Sequence, residues 1–138
     1  IDFSQLATNL GGDVALARKT VEAFLRASAA TVPTGKQNSF AAQNPPSFYM
    51  TVVRAKGSAW SLANAFEKPV QPGGQGLVYA SVKALDTYWG KLADFFGAAG
   101  QPVVAAVDAE SALEHLKPAQ VGTLAGWIEE TLNQLPQE

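Results

Sequence analysis

Between Thr31 and Pro46 the chain gathers the side chains best suited to chemistry: Lys36, Gln37, Asn38 and Ser39, with Gly35 before them and Phe40 behind, fenced by Pro33 and by Pro45 and Pro46. No carboxylate interrupts the stretch. A polyanion is the ligand such a set would suit, because Lys36 offers a mobile cation, the next three residues offer neutral donors, and Gly35 lets backbone come close. A solvated connection has much the same composition, so the surrounding charge must decide between the two. From residue 23 to residue 66 the bases are Arg26, Lys36, Arg54 and Lys56 and there is no acid, a net +4 in a chain of net −2. Asp108, Glu110, Glu114, Glu129, Glu130 and Glu138 crowd the other end. One part of the chain is therefore fitted to face an anion and another to repel it.

Catalytic sets are missing. His115 is the single histidine and there is no cysteine, which leaves no Ser-His-Asp relay, no thiol nucleophile and no multi-histidine or thiolate metal site. His115 reads as a capping or surface residue. Asp108 and Glu110 stand where carboxylates hold a hard cation or cap a turn. Thr34-Gly35-Lys36-Gln37 matches part of a phosphate loop, but the first glycine is absent, Gln37 stands where a magnesium-binding hydroxyl belongs, and the segment follows a helix instead of opening one. The expectation is a protein that is not an enzyme and needs no metal or cofactor.

Elements that would position the polar stretch follow from periodicity. Ile1 to Leu6 reads as a short strand or strand end, with Ile1-Asp2-Phe3-Ser4 alternating, and Asn9-Leu10-Gly11-Gly12 reads as a turn. Asp13 is a helix cap, and Val14, Ala17, Val21, Phe24, Leu25 and Ser28 mark the apolar stripe of a helix over residues 13–31, which must stop before Pro33. Residues 47–54 predict a buried strand and residues 62–67 a short helix capped by Ser61. Val78, Val82, Leu85, Trp89, Leu92 and Phe96 step by three and four along a second long helix, with Lys83, Asp86, Lys91 and Asp94 off the line. Trp89, Phe95 and Phe96 read as core aromatics. A strand at 102–107 and a last helix around Trp127, whose Gly122 and Gly126 mark close packing, complete the set.

The expected class is α/β (α+β), with helices packed on a small sheet. With 138 residues, 47% of them apolar, the chain is sized for a single domain over 1–138 that buries roughly two-thirds of its unfolded surface. No apolar run reaches the roughly 20 residues of a membrane helix, and a soluble, cytoplasmic protein with no membrane partner is expected. The start at Ile1 is expected of a chain cut from a longer polypeptide.

Two motifs carry a resemblance. Residues 33–45, Pro-Thr-Gly-Lys-Gln-Asn-Ser-Phe-Ala-Ala-Gln-Asn-Pro, and 60–68, Trp-Ser-Leu-Ala-Asn-Ala-Phe-Glu-Lys, closely resemble the C-terminal region of the backbone subunit of the type I-E CRISPR Cascade, the CasC family. Gln5-Leu6, Asn9 to Gly12, Tyr88-Trp89 and the Trp127 helix extend the likeness over nearly the whole chain. The resemblance implies the closing part of a ferredoxin-like, RNA-recognition-like palm, cut from a subunit more than twice as long. It implies antiviral defence, with guide RNA (crRNA), neighbouring copies and other Cascade subunits as partners and target DNA engaged only through the guide. Lys36 and Gln37 match positions expected on guide-RNA phosphates, and Ser39 matches a hydroxyl position. Asn38 stands where family members place a second base. Phe40 is expected to anchor the loop, and Trp60, Asn64 and Phe66 to serve structure or intersubunit contact, with Asn64 fastening the loop backbone. An alternative expectation is an intersubunit docking domain without RNA contact.

Overall fold

Two aspartates shape the amino-terminal helices. Asp2 Oδ1 accepts from the backbone N–H of Gln5 at 2.9 Å and so caps α1, Phe3–Asn9. The strand expected over residues 1–6 is therefore a helix. Asp13 Oδ1 accepts from Leu16 N at 2.8 Å and caps α2, Val14–Ala30, after a turn in which Gly11 and Gly12 hold φ of +74° and +85°. Ala17, Val21 and Leu25 of the expected stripe are buried, while Phe24 is 55% exposed. In this computed structural model residues 1–31, 44–97 and 100–137 are described. They group into two compact units, residues 1–46 with 128–138, and residues 47–127. In the first unit Arg18 Nη1 donates to the carbonyl oxygens of Leu135 and Pro136 at 3.1 and 3.0 Å, fixing the end of the chain to α2.

The second unit is built on an antiparallel pair, β1 (Phe48–Val53) and β2 (Gln101–Ala106), in register from Phe48 opposite Ala106 to Val53 opposite Gln101. Strand alternation sends Phe48, Met50, Val52, Val104 and Ala106 to one face, where they pack with Val82, Tyr79, Leu85 and Trp89 of α3, Gly76–Phe96. Val103 lies on the other face, its carbonyl accepting from Trp127 Nε1 at 3.2 Å, and the Trp127 ring meets Tyr49 at 5.4 Å. Trp127 belongs to α4, Leu124–Asn133, which opens with Thr123 Oγ1 accepting from Gly126 N. The fold is α+β, a small antiparallel sheet with helices.

Gly122 lies ahead of α4, and a Cβ there would touch nothing within 4 Å. The Gly122/Gly126 pair is accordingly not a packing face. The short helix is a single 3₁₀ turn, Ala63–Phe66, with Ser61 Oγ accepting from Ala63 N at 3.4 Å.

Candidate functional site

Lys36, Gln37, Asn38, Ser39 and Phe40 lie outside the described residues. The other expected site residues are apart from one another. Trp60 is half-buried in an aromatic cluster, its ring 6.0 Å from Trp89 and 5.4 Å from Phe96, with the Arg54 guanidinium 4.3 Å from its centroid. Phe66 is 43% exposed, and Asn64 is exposed with no side-chain hydrogen bond among the described residues. The aromatics expected in the core divide: Trp89 is buried, whereas Phe95 and Phe96, at the end of α3, are 81% and 63% exposed and stack on each other edge to face.

The acid-free span also looks different in three dimensions. Arg26 is held by Glu22, one turn back on α2 at 2.7 Å, so an acid just outside the span answers one of its four cations. Arg54 lies on Trp60. Lys56 is exposed.

A stronger concentration of free cations lies where the linear charge count is zero. Residues 67–97 hold Lys68, Lys83 and Lys91 against Glu67, Asp86 and Asp94. Asp86, however, is 1% exposed. Its Oδ2 accepts from Glu114 N and His115 N at 3.2 Å each, and its Oδ1 from Leu116 N at 2.8 Å. Three backbone donors consume this carboxylate, which pins the turn between the 3₁₀ segments Glu110–Ala112 and Lys117–Ala119 onto α3. On that same side of α3 Gly90 makes room for His115: a Cβ at 90 would come within 2.5 Å of the imidazole Cγ and Nδ1.

With Asp86 turned inward, the exposed charges on the outer side of α3 are Lys83 and Lys91 against Asp94 alone. This side forms one wall of an open groove of about 730 Å³, whose other wall is the Asn64–Gln71 segment and whose end is the glycine-rich turn Gly73–Gly76. Lys68 belongs to the Asn64–Gln71 wall and Lys83 and Lys91 to α3, which also contributes Tyr79, Thr87, Tyr88 and the small side chains of Ala80 and Ala84. Glu67 is the single acid of this lining. The lysines are all exposed. Such a groove is fitted to an extended anion. The sequence carried a signal for it in Lys83 and Lys91, two turns apart and off the apolar line, but only the burial of Asp86 turns them into a net charge.

Among the described residues no group of three or more His, Cys, Asp or Glu is placed to hold a metal ion, and no helix is long and apolar enough to cross a membrane. Asp108 is exposed with φ of +60°.

The profile of the family described as CT1975-like protein matches residues 1–134. Among solved structures, a chain titled "CRISPR RNA-guided surveillance complex" is similar with a TM-score of 0.81 and 28% identity, over 96% of this chain and 50% of that one. A second, titled "CRISPR RNA-guided surveillance complex, pre-nicking", gives 0.80 and 28% over 96% of this chain and 35% of that one. The present chain thus spans half or less of the length of those chains. Comparison with curated proteins gives no match.

Proposed function

Because the chain belongs to the family of CT1975-like proteins, we propose that it is part of a CRISPR RNA-guided surveillance complex and that it holds the backbone of the guide RNA without catalysing a reaction. The observation that carries this reading is the likeness, over 96% of the chain, to a protein of a complex titled as RNA-guided. In this reading the subunit is of the type I-E backbone kind, with an RNA-recognition-like palm. It works in the cytoplasm beside copies of itself and other subunits, and meets target DNA through the guide. Contacts to phosphate give affinity without choosing sequence, as a protein that must accept every guide requires. Lys36 and Gln37 are the proposed phosphate contacts in the polar stretch, with Asn38 and Ser39 as neutral donors.

Lys36→Ala tests the assignment in the full-length protein. Guide-RNA affinity is expected to fall equally for unrelated guide sequences, and the slope of log affinity against log salt to flatten by about 0.7, the value for one lost contact on a single strand. Unchanged affinity removes Lys36 from the interface. If charge reversal, Lys36→Glu, leaves RNA binding intact and disrupts assembly of copies, the docking role replaces the RNA role.

A further inference from the structure

We infer that the groove between α3 and the Asn64–Gln71 segment is a second seat for a single RNA strand, in which Lys68, Lys83 and Lys91 meet phosphates and Tyr88 offers its ring to a base. The inference rests on the reading of the protein as one that handles RNA, but it uses none of the residues from 32 to 43.

Lys83, Thr87 and Lys91 follow one i, i+4 row of α3, which is inclined to the helix axis by about 26°, and the rise of the helix sets the backbones of the two lysines roughly 12 Å apart along the axis. Lys68 lines the groove from the Asn64–Gln71 segment, so both segments that line it contribute cations. Ala80 and Ala84 keep the space beside that row shallow and free of bulk. Tyr88, one turn before Lys91, is half-buried and lines the groove, so part of its side chain is open to a base lying there. Lysines suit this task, because each is a mobile point charge with no fixed fork to demand a particular base or register. An acidic protein segment would satisfy the ammonium groups equally, but it gives no use to a tyrosine ring in the same lining. The presence of a tyrosine beside lysines in one lining therefore favours nucleic acid.

The test is filter binding of a single-stranded oligouridylate by the full-length protein at several salt concentrations, comparing wild type, Lys83→Gln/Lys91→Gln and a control, Lys19→Gln/Lys117→Gln, which removes the same charge from exposed positions outside both the groove and the acid-free span. The groove pair is expected to lower the salt slope by about 1.4, two single-strand contacts, and the control to leave it unchanged. Tyr88→Ala is expected to weaken binding without altering the slope. A wild-type slope retained by the groove pair overturns the groove while leaving the guide-RNA reading standing. An equal fall in the control overturns it too, since charge alone would then explain the effect. Loss of self-association with RNA binding retained assigns the groove to an acidic protein surface instead. Wild-type protein that binds no RNA overturns both readings.

Discussion

The two sides of α3 treat charge in opposite ways. On the inner side a single carboxylate, Asp86, is 1% exposed and saturated by three backbone donors, and on the outer side Lys83 and Lys91 stand in solvent with no such partners. A buried charge has meaning for stability, because its hydration must be replaced by fixed hydrogen bonds. An exposed charge contributes little to stability and is available to a ligand. The contrast predicts that substitutions on the inner side act on folding and those on the outer side on binding.

The sharpest way to break the comparison is Asp86→Ala. It orphans the N–H groups of Glu114, His115 and Leu116 and releases the turn that carries Leu113 and Leu116 into the core. A loss of about 3–5 kcal/mol is expected, read from the midpoint of urea unfolding. A loss below about 1 kcal/mol would mean that water replaces the carboxylate without cost and that the inner side is not what holds this turn. Asp86→Asn, which keeps one acceptor oxygen, is expected to fall between.

Next in size is Gly90→Ala. The imidazole of His115 occupies the space of the new methyl, and the His115 backbone is restrained from shifting because its N–H donates to Asp86. About 1–2 kcal/mol is expected, and combination with His115→Ala should recover most of it, a coupling that a double-mutant cycle measures directly. Additive losses would show that the ring simply swings aside.

Parts of this arrangement were legible in the sequence, and the reasons differ from element to element. α2 and α3 are long enough for several turns of stepped apolar residues, and Asp13 announces the start of the first. α1 was misread because four alternating residues, Ile1 to Ser4, cannot separate a period of two from one of 3.6; the better signal was Asp2 with Gln5 three residues on, the spacing of a capping box. Phe96 fits the apolar step yet is exposed, since a helix can outrun the core it packs on. The groove was hidden for a different reason. Counting charge along residues 67–97 cancels Asp86 against a lysine, and nothing in one-dimensional order says that the acid points inward and the bases outward. Of the site residues expected from the polar stretch, Lys36 to Phe40 fall outside the described residues, while Asn64 lines the groove and Trp60 belongs to the aromatic cluster.

A smaller effect is expected at Glu22 and Arg26 on α2. Arg26 Nε and Nη2 both reach Glu22 Oε1, at 2.9 and 2.7 Å, in an i, i+4 pair that is largely exposed. Glu22→Gln should cost about 0.3–0.5 kcal/mol at low salt and less as salt rises. A salt-independent loss would mean the pair acts by packing, not by charge.

The smallest change in stability is expected at Lys83 and Lys91, and that near-absence is the more demanding half of the comparison. Glutamine has nearly the helix propensity of lysine, so Lys83→Gln/Lys91→Gln leaves the backbone preference of α3 unaltered. Neither lysine takes part in the core cluster, which meets α3 through Val82, Trp89 and the flanking Tyr79, Leu85 and Ala93. The removed charges share the groove lining with Lys68 and stand near the exposed Asp94, so relief of repulsion and lost attraction are both small and offset each other. The unfolding midpoint should accordingly shift by the equivalent of less than about 0.5 kcal/mol. A destabilisation of 2 kcal/mol, roughly what Asp86→Asn is expected to produce, would place the lysines in the folding of the helix and erase the division between its sides. An unchanged midpoint together with a flattened salt dependence of RNA binding would locate their role at the open face alone.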